Sequence, residues 1–152
     1  MTIKAKYVHT NLVAQDWQNL ARFYEQVLGC TPVLPERDLS GQWLADATGI
    51  PNAHIRGIHL RLPGYGDSGP TLEIFQYTPA EQALTTAINR PGFGHIAFAV
   101  DNVEAAREAV IAASGGEVGP VTSLEIPHVG HITFVYLTDP EGNVIELQCW
   151  SK

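Results

Sequence analysis

Cysteines, cationic side chains and long apolar runs are all scarce in this chain. Its 152 residues include two cysteines, Cys30 and Cys149. They form no CxxC pair and no disulfide framework. A reducing cytosol is the expected compartment, with a single disulfide as the alternative. Lysine and arginine number 9 against 16 acidic residues, so the net charge is −7 and the pI is near 5.2. Nucleic acid is an unexpected partner, because phosphate contacts need clustered cations and these are spread along the chain. No apolar stretch approaches the ~20 residues of a membrane-spanning helix. The opening Met1-Thr2-Ile3-Lys4-Ala5-Lys6 has no apolar signal core. The expectation is a soluble, cytoplasmic protein that contacts neither membrane nor nucleic acid. Charged residues make up 16% and apolar ones 45%, a balance that at this length suits a folded domain with a real core.

Hydrophobic periodicity outlines the elements. Ala5–Val13 reads as a strand. Asp16 is placed to cap a helix over Trp17–Leu28, in which Leu20, Phe23, Tyr24, Val27 and Leu28 recur at helical spacing and Gly29 supplies a left-handed exit. Thr31–Val33 is strand-like, Gly41–Gly49 is an insertion with a helical turn around Trp43 and Leu44, and His54–Leu62 and Thr71–Tyr77 are strands on either side of a Pro/Gly-rich turn. Residues 79–92 form a linker, with one helical turn expected over Glu81–Ile88. The order then recurs. Phe93–Val100 is a strand, and Asp101 or Asn102 offers a cap, with Glu104 three residues after Asp101. Val103–Ala113 is a helix, and strands follow at Glu117–Val118, Gly130–Thr138 and Asn143–Trp150. Asp139-Pro140-Glu141-Gly142-Asn143 is a tight turn between the last two.

Each half is therefore βαβββ, and each carries one histidine early and one glutamate late: His9 and Glu73, then His95 and Glu146. The histidines are 86 residues apart and the glutamates 73, which makes the first half 13 residues longer. A repeat of this kind defines a fold before individual elements do. Because side chains alternate along strands, His9 shares a face with Tyr7 and Asn11, Glu73 with Thr71, Phe75 and Tyr77, His95 with Phe93 and Ala97, and Glu146 with Val144 and Gln148. The opposite faces (Val8, Leu12; Leu72, Ile74; Ile96, Phe98; Ile145, Leu147) are apolar and suit packing under the helices. Two neutral imidazoles and two carboxylates are a donor set for one divalent ion. A glutamate in a sheet core without a partner is costly, which disfavours packing roles for Glu73 and Glu146.

The segments Gly92-Phe93-Gly94-His95-Ile96-Ala97-Phe98-Ala99-Val100-Asp101 and Asp139-Pro140-Glu141-Gly142-Asn143-Val144-Ile145-Glu146-Leu147, with the helix Leu20–Gly29, resemble the vicinal oxygen chelate superfamily. That group contains glyoxalase I, methylmalonyl-CoA epimerase, extradiol ring-cleaving dioxygenases, and the bleomycin and fosfomycin resistance proteins. The resemblance covers nearly the whole chain and is strongest to the glyoxalase I type. It implies an α+β fold, with two βαβββ modules (about 1–78 and 93–152) forming a curved mixed sheet around a metal-binding cavity. Carried over by position, the metal ligands are His9, Glu73, His95 and Glu146. Four such ligands leave two neighbouring places on an octahedral ion for substrate oxygens. The ion is one of nickel, cobalt, zinc, manganese or iron.

The implied reaction is that of a lyase or isomerase, by proton transfer through a metal-bound enediolate, with Glu73 or Glu146 moving the proton. His59, Phe75 and Tyr136 are candidate substrate contacts. The alternatives are a ring-cleaving dioxygenase, which leaves the position matching Glu73 without a ligand, and a non-enzymatic drug- or metabolite-binding resistance protein. The epimerase carries its catalytic glutamate on the strand corresponding to His54–Leu62, which here holds His54, Arg56, His59 and Arg61 and no Glu. The superfamily commonly pairs chains, so a homodimer is expected, with Trp43 and Trp150 as interface candidates.

Overall fold

The structure, a computed structural model, describes residues 1–151. The chain folds as two compact units, Met1–Gln82 and Ala83–Lys152. Each is a mixed α+β layer arrangement, and among the described residues no helix is long and apolar enough to cross a membrane.

Unit 1 runs β1 (His9–Val13), α1 (Trp17–Leu28), β2 (Thr31–Ser40), α2 (Gln42–Thr48), β3 (His54–Arg61) and β4 (Thr71–Thr78), with a 3₁₀ turn at Gly66–Ser68. Helix α1 starts and stops where its sequence dictates. The Asp16 side chain accepts from the Asn19 N–H, and Gly29 takes φ +70°, the left-handed conformation that costs glycine nothing. The buried stripe of α1 (Trp17, Leu20, Ala21, Phe23, Tyr24) packs on β3 and β4, whose inner residues Ile58, Leu60, Leu72 and Ile74 are almost fully buried. A second small cluster joins Leu44 of α2 to Ala53, Ile55 and Phe75. The four-stranded sheet has the order β1-β4-β3-β2, with β1 parallel to β4 and the other pairs antiparallel.

Unit 2 runs β5 (Ile96–Ala99), α3 (Val103–Ala112), β6 (Gly116–Glu117), β7 (Thr122–Ile126), β8 (Gly130–Thr138) and β9 (Val144–Ser151). Its sheet has the order β5-β9-β8-β6, with β7 also paired to β8. Helix α3 packs on β8 and β9, where Val135, Leu137, Ile145 and Leu147 are fully buried beside Val103 and Val110. The β8–β9 turn is held by Asp139, which is 1% exposed. Its carboxylate accepts from the Glu141 N–H at 2.9 Å, the Asn143 N–H at 3.0 Å and the Asn143 amide at 2.8 Å.

Several boundaries differ from those expected. The first strand begins at His9 rather than Ala5, leaving Tyr7 and Val8 exposed, and β5 begins at Ile96, one residue after His95. Strand β2 continues to Ser40 past an irregularity between Val33 and Arg37, where Pro35 has no N–H to give the ladder. The cap of α3 is Asn102, whose side chain accepts from the Ala105 N–H, not Asp101 with Glu104. Residues 81–88 form no helix. Strand β7 lies outside the strands expected from the sequence; four of its five residues are exposed, so no apolar alternation marks it.

Candidate metal centre

Glu73 stands at the middle of unit 1's sheet, with a histidine on each neighbouring strand. His59 on β3 is directly opposite Glu73, and Asn11 on β1 is its parallel partner, which places His9 two residues back on the same face. The His59 Nε2 lies 2.8 Å from one carboxylate oxygen, and the His9 Nε2 lies 3.3 Å from the other. The Asn11 amide donates to that second oxygen at 3.1 Å. The side chains are 12% exposed for Glu73, 19% for His59 and 39% for His9. One donor atom from each of His9, His59 and Glu73 lies within 4.8 Å of the others. Burial, the largest cause, lowers the pKa of His59. The Arg37 and Arg61 charges and His9 add to this, while the Glu73 carboxylate opposes it. His59 thus favours the neutral imidazole that a metal requires.

Unit 2 repeats the arrangement. Ala97 on β5 pairs in parallel with Glu146 on β9, so His95 again lies two residues behind the glutamate's partner. The His95 Nε2 is 2.9 Å from a Glu146 carboxylate oxygen. The residue opposite Glu146 on β8 is Tyr136, whose ring meets His95 edge-on at 5.2 Å between centroids. Burial first, then the charge and hydrogen bond of Glu146, raise the pKa of the Tyr136 phenol. Tyr136 therefore stays protonated and acts as a donor beside the carboxylate.

The four expected ligands thus form two His–Glu pairs, one in each unit. The donor set fits a divalent ion. At the ~2.0–2.2 Å of metal bonds to imidazole nitrogen and carboxylate oxygen, neighbouring donors around one octahedral ion stand about 3.0 Å apart. The three His–Glu separations of 2.8, 2.9 and 3.3 Å lie close to that edge.

The other candidates fall as follows. Phe75 is buried and meets the His59 ring edge-on at 5.7 Å. The His54 Nε2 is 2.6 Å from Asp38, and the His131 Nδ1 is 3.6 Å from Glu125, so each faces a carboxylate other than Glu73 or Glu146. His128 has φ +66° in the turn before β8. Arg61 donates to the Gly69 carbonyl. Trp17 is core, whereas Trp43 and Trp150 are exposed. Both cysteines are free thiols. A cavity of about 540 Å³ is lined by Glu104, Arg107, Glu117, Val118, Gly119, Pro120 and Val121 of unit 2, none of them a donor of either cluster. Sequence reasoning overlooked Asn11 as a partner of Glu73, and it gave His59 no place beside that carboxylate.

Residues 6–147 match the model of the Glyoxalase/Bleomycin resistance protein/Dioxygenase superfamily. A Vibrio parahaemolyticus protein named "Probable lactoylglutathione lyase" is 30% identical over 148 residues, covering 93% of this chain and 88% of its own. Among solved structures, a glyoxalase family protein from Bacillus cereus superposes with a TM-score of 0.77 at 18% identity, over 100% of this chain and 97% of that one. A mutant fosfomycin resistance protein from Listeria monocytogenes, complexed with manganese(II) and 1S,2S-dihydroxypropylphosphonic acid, gives 0.59 at 16% identity, over 95% and 92%. At these identities the two structural likenesses bear on the fold alone.

Proposed function

This chain belongs to the Glyoxalase/Bleomycin resistance protein/Dioxygenase superfamily, and from that premise we propose that it is a metal-dependent lyase or isomerase that moves a proton beside a carbonyl of a small oxygenated substrate. The observation that carries this reading is the shared register of the two His–Glu pairs, each with the histidine two residues behind the partner of its glutamate. Packing does not require a half-exposed imidazole to face a nearly buried carboxylate twice in the same geometry.

In this reading His9, Glu73, His95 and Glu146 hold one ion of nickel, cobalt, zinc, manganese or iron. When bound, that ion supplies a Lewis acid that lowers the pKa of the carbon acid next to a coordinated carbonyl. The residues do the rest. A carboxylate of Glu73 or Glu146 takes the proton from one carbon and returns it to the neighbouring one. The Tyr136 phenol and Asn11 amide hold the carboxylates in place, Phe75 backs the His59 ring, and Tyr136 offers apolar surface to the substrate. The two modules work as one domain joined by residues 79–92, in a cytoplasmic homodimer. The name of the Vibrio relative makes the hemithioacetal of a 2-oxoaldehyde and a thiol the first substrate to try.

The test is a panel of such hemithioacetals and 2-hydroxycarbonyl compounds, run in deuterium oxide with an oxygen electrode in place. Metal-loaded and chelator-treated protein are compared. Turnover that requires metal, with no oxygen uptake, is expected. Stoichiometric oxygen uptake by the iron-loaded chain on a catechol would replace this reading with ring cleavage.

A further inference from the structure

We propose that His59 is itself a metal donor, so that unit 1 brings three donors, His9, His59 and Glu73, to the divalent cation. This rests on the reading above that His9 and Glu73 bind an ion, and it adds a third donor from a third strand. The three side chains come from β1, β3 and β4 and lie on one face of one sheet. Two imidazoles flanking one carboxylate is a common arrangement for first-row divalent metals with open places. In each ring the nitrogen that faces Glu73 is Nε2.

The other nitrogen of His59 is already occupied. Its Nδ1 lies 3.4 Å from the hydroxyl of Thr71, a residue only 8% exposed. With an ion in place of the Nε2 proton that faces Glu73, the ring's remaining proton sits on Nδ1 and can be donated to that hydroxyl, and such outer bonds orient metal-binding histidines generally. The ring is also held by edge-on contacts with His9 at 5.8 Å and Phe75 at 5.7 Å. Its Nε2 is therefore aimed at the carboxylate before any ion arrives.

Unit 2 supplies an internal comparison. The position equivalent to His59, directly opposite the glutamate, is Tyr136, and a protonated phenol is a poor donor to a divalent ion. The repeat is thus unequal, with three nitrogen and carboxylate donors in unit 1 against two in unit 2.

Cobalt(II) reports the donors directly. In the cobalt-loaded full-length chain, proton NMR shows one exchangeable, strongly shifted imidazole N–H for each coordinated histidine. We expect three in the parent, from His9, His59 and His95, and two in both His59→Ala and His59→Gln. The glutamine variant keeps a hydrogen-bond donor near Glu73 and guards against a folding defect. The chain carrying His95→Ala and Glu146→Gln together is expected to retain one cobalt per chain by elemental analysis, more weakly than the parent. Adding His59→Ala to it should abolish that uptake. Two shifted signals in the parent, or uptake by the double variant that ignores His59, would overturn the proposal and leave the four-donor reading standing. A parent chain that takes up no divalent ion would remove both.

Discussion

Replacing Asp139 with alanine should cost this protein more than almost any other single change outside the core. The Asp139 carboxylate accepts three hydrogen bonds, at 2.8, 2.9 and 3.0 Å, and all three donors belong to the turn that joins β8 to β9. Bonds to a charged acceptor contribute about 1.5–3 kcal/mol each. At the lower figure the three come to roughly 4.5 kcal/mol, and water reaching the part-buried N–H groups of the variant reduces this to about 3–4 kcal/mol. Asp139→Asn keeps the two backbone bonds to one oxygen but turns an amide toward the Asn143 amide, so it should lose about 1.5–2 kcal/mol. For a chain of this length the alanine variant should melt roughly 6–16 °C lower. Urea unfolding followed by far-UV circular dichroism measures the difference directly, provided the m-value is unchanged. The turn also sets Tyr136 across from Glu146, so the loss should weaken the site together with the fold. An Asp139→Ala variant within ~1 kcal/mol of the parent would mean that these three bonds add little beyond what water gives the freed donors.

Three further outcomes follow from other parts of the molecule. The thiol of Cys30 is pushed up to about 12 from its ordinary 9.0, first by burial and then by the Glu25 charge. In native protein at pH 8 a thiol reagent should therefore modify the partly exposed Cys149 and spare Cys30. Since the folded thiol holds its proton longer than the unfolded one, its share of stability is present below pH 9 and lost as the pH rises toward 12, which urea midpoints across that range would show. Gly57→Ala places a methyl group 2.0 Å from the Ile74 carbonyl oxygen and 2.8 Å from the Phe75 ring. It should destabilise by more than ~1 kcal/mol and disturb the ring contact of His59, whereas a neutral result in thermal melts would count against the close packing of β3 on β4. Light scattering at micromolar concentration should give twice the 16.5 kDa mass of one chain, and a monomer mass would remove the homodimer.

Much of this was legible in the sequence because local chemistry and the repeat agree. Asp16, the helical spacing of Leu20, Phe23 and Tyr24, and Gly29 fix α1 to the residue. The recurrence of His and Glu identifies the two pairs that the strands bring into contact. Edges were less visible. Strand β7 is exposed on both faces and so carries no hydrophobic alternation. The segment 81–88 has helix-forming residues but is exposed at seven of its eight positions, and propensity alone does not hold a short helix together. The place of His59 was recoverable in principle. His59 and Glu73 are equidistant from Gly66 in the turn of one hairpin, and Tyr136 and Glu146 are equidistant from Glu141 in the other. In an antiparallel hairpin, positions equidistant from the turn face each other. The sequence does not show where the register of a long loop is centred, and the eight-residue Pro63–Pro70 segment left that open.

Anomalous diffraction from crystals of the nickel-loaded chain decides whether the two His–Glu pairs share one divalent ion. The expected map holds a single strong peak per chain, ~2.0–2.2 Å from the Nε2 atoms of His9 and His95 and from a carboxylate oxygen of Glu73 and of Glu146. A peak on other residues, separate peaks on the two pairs, or no peak at saturating nickel would contradict it.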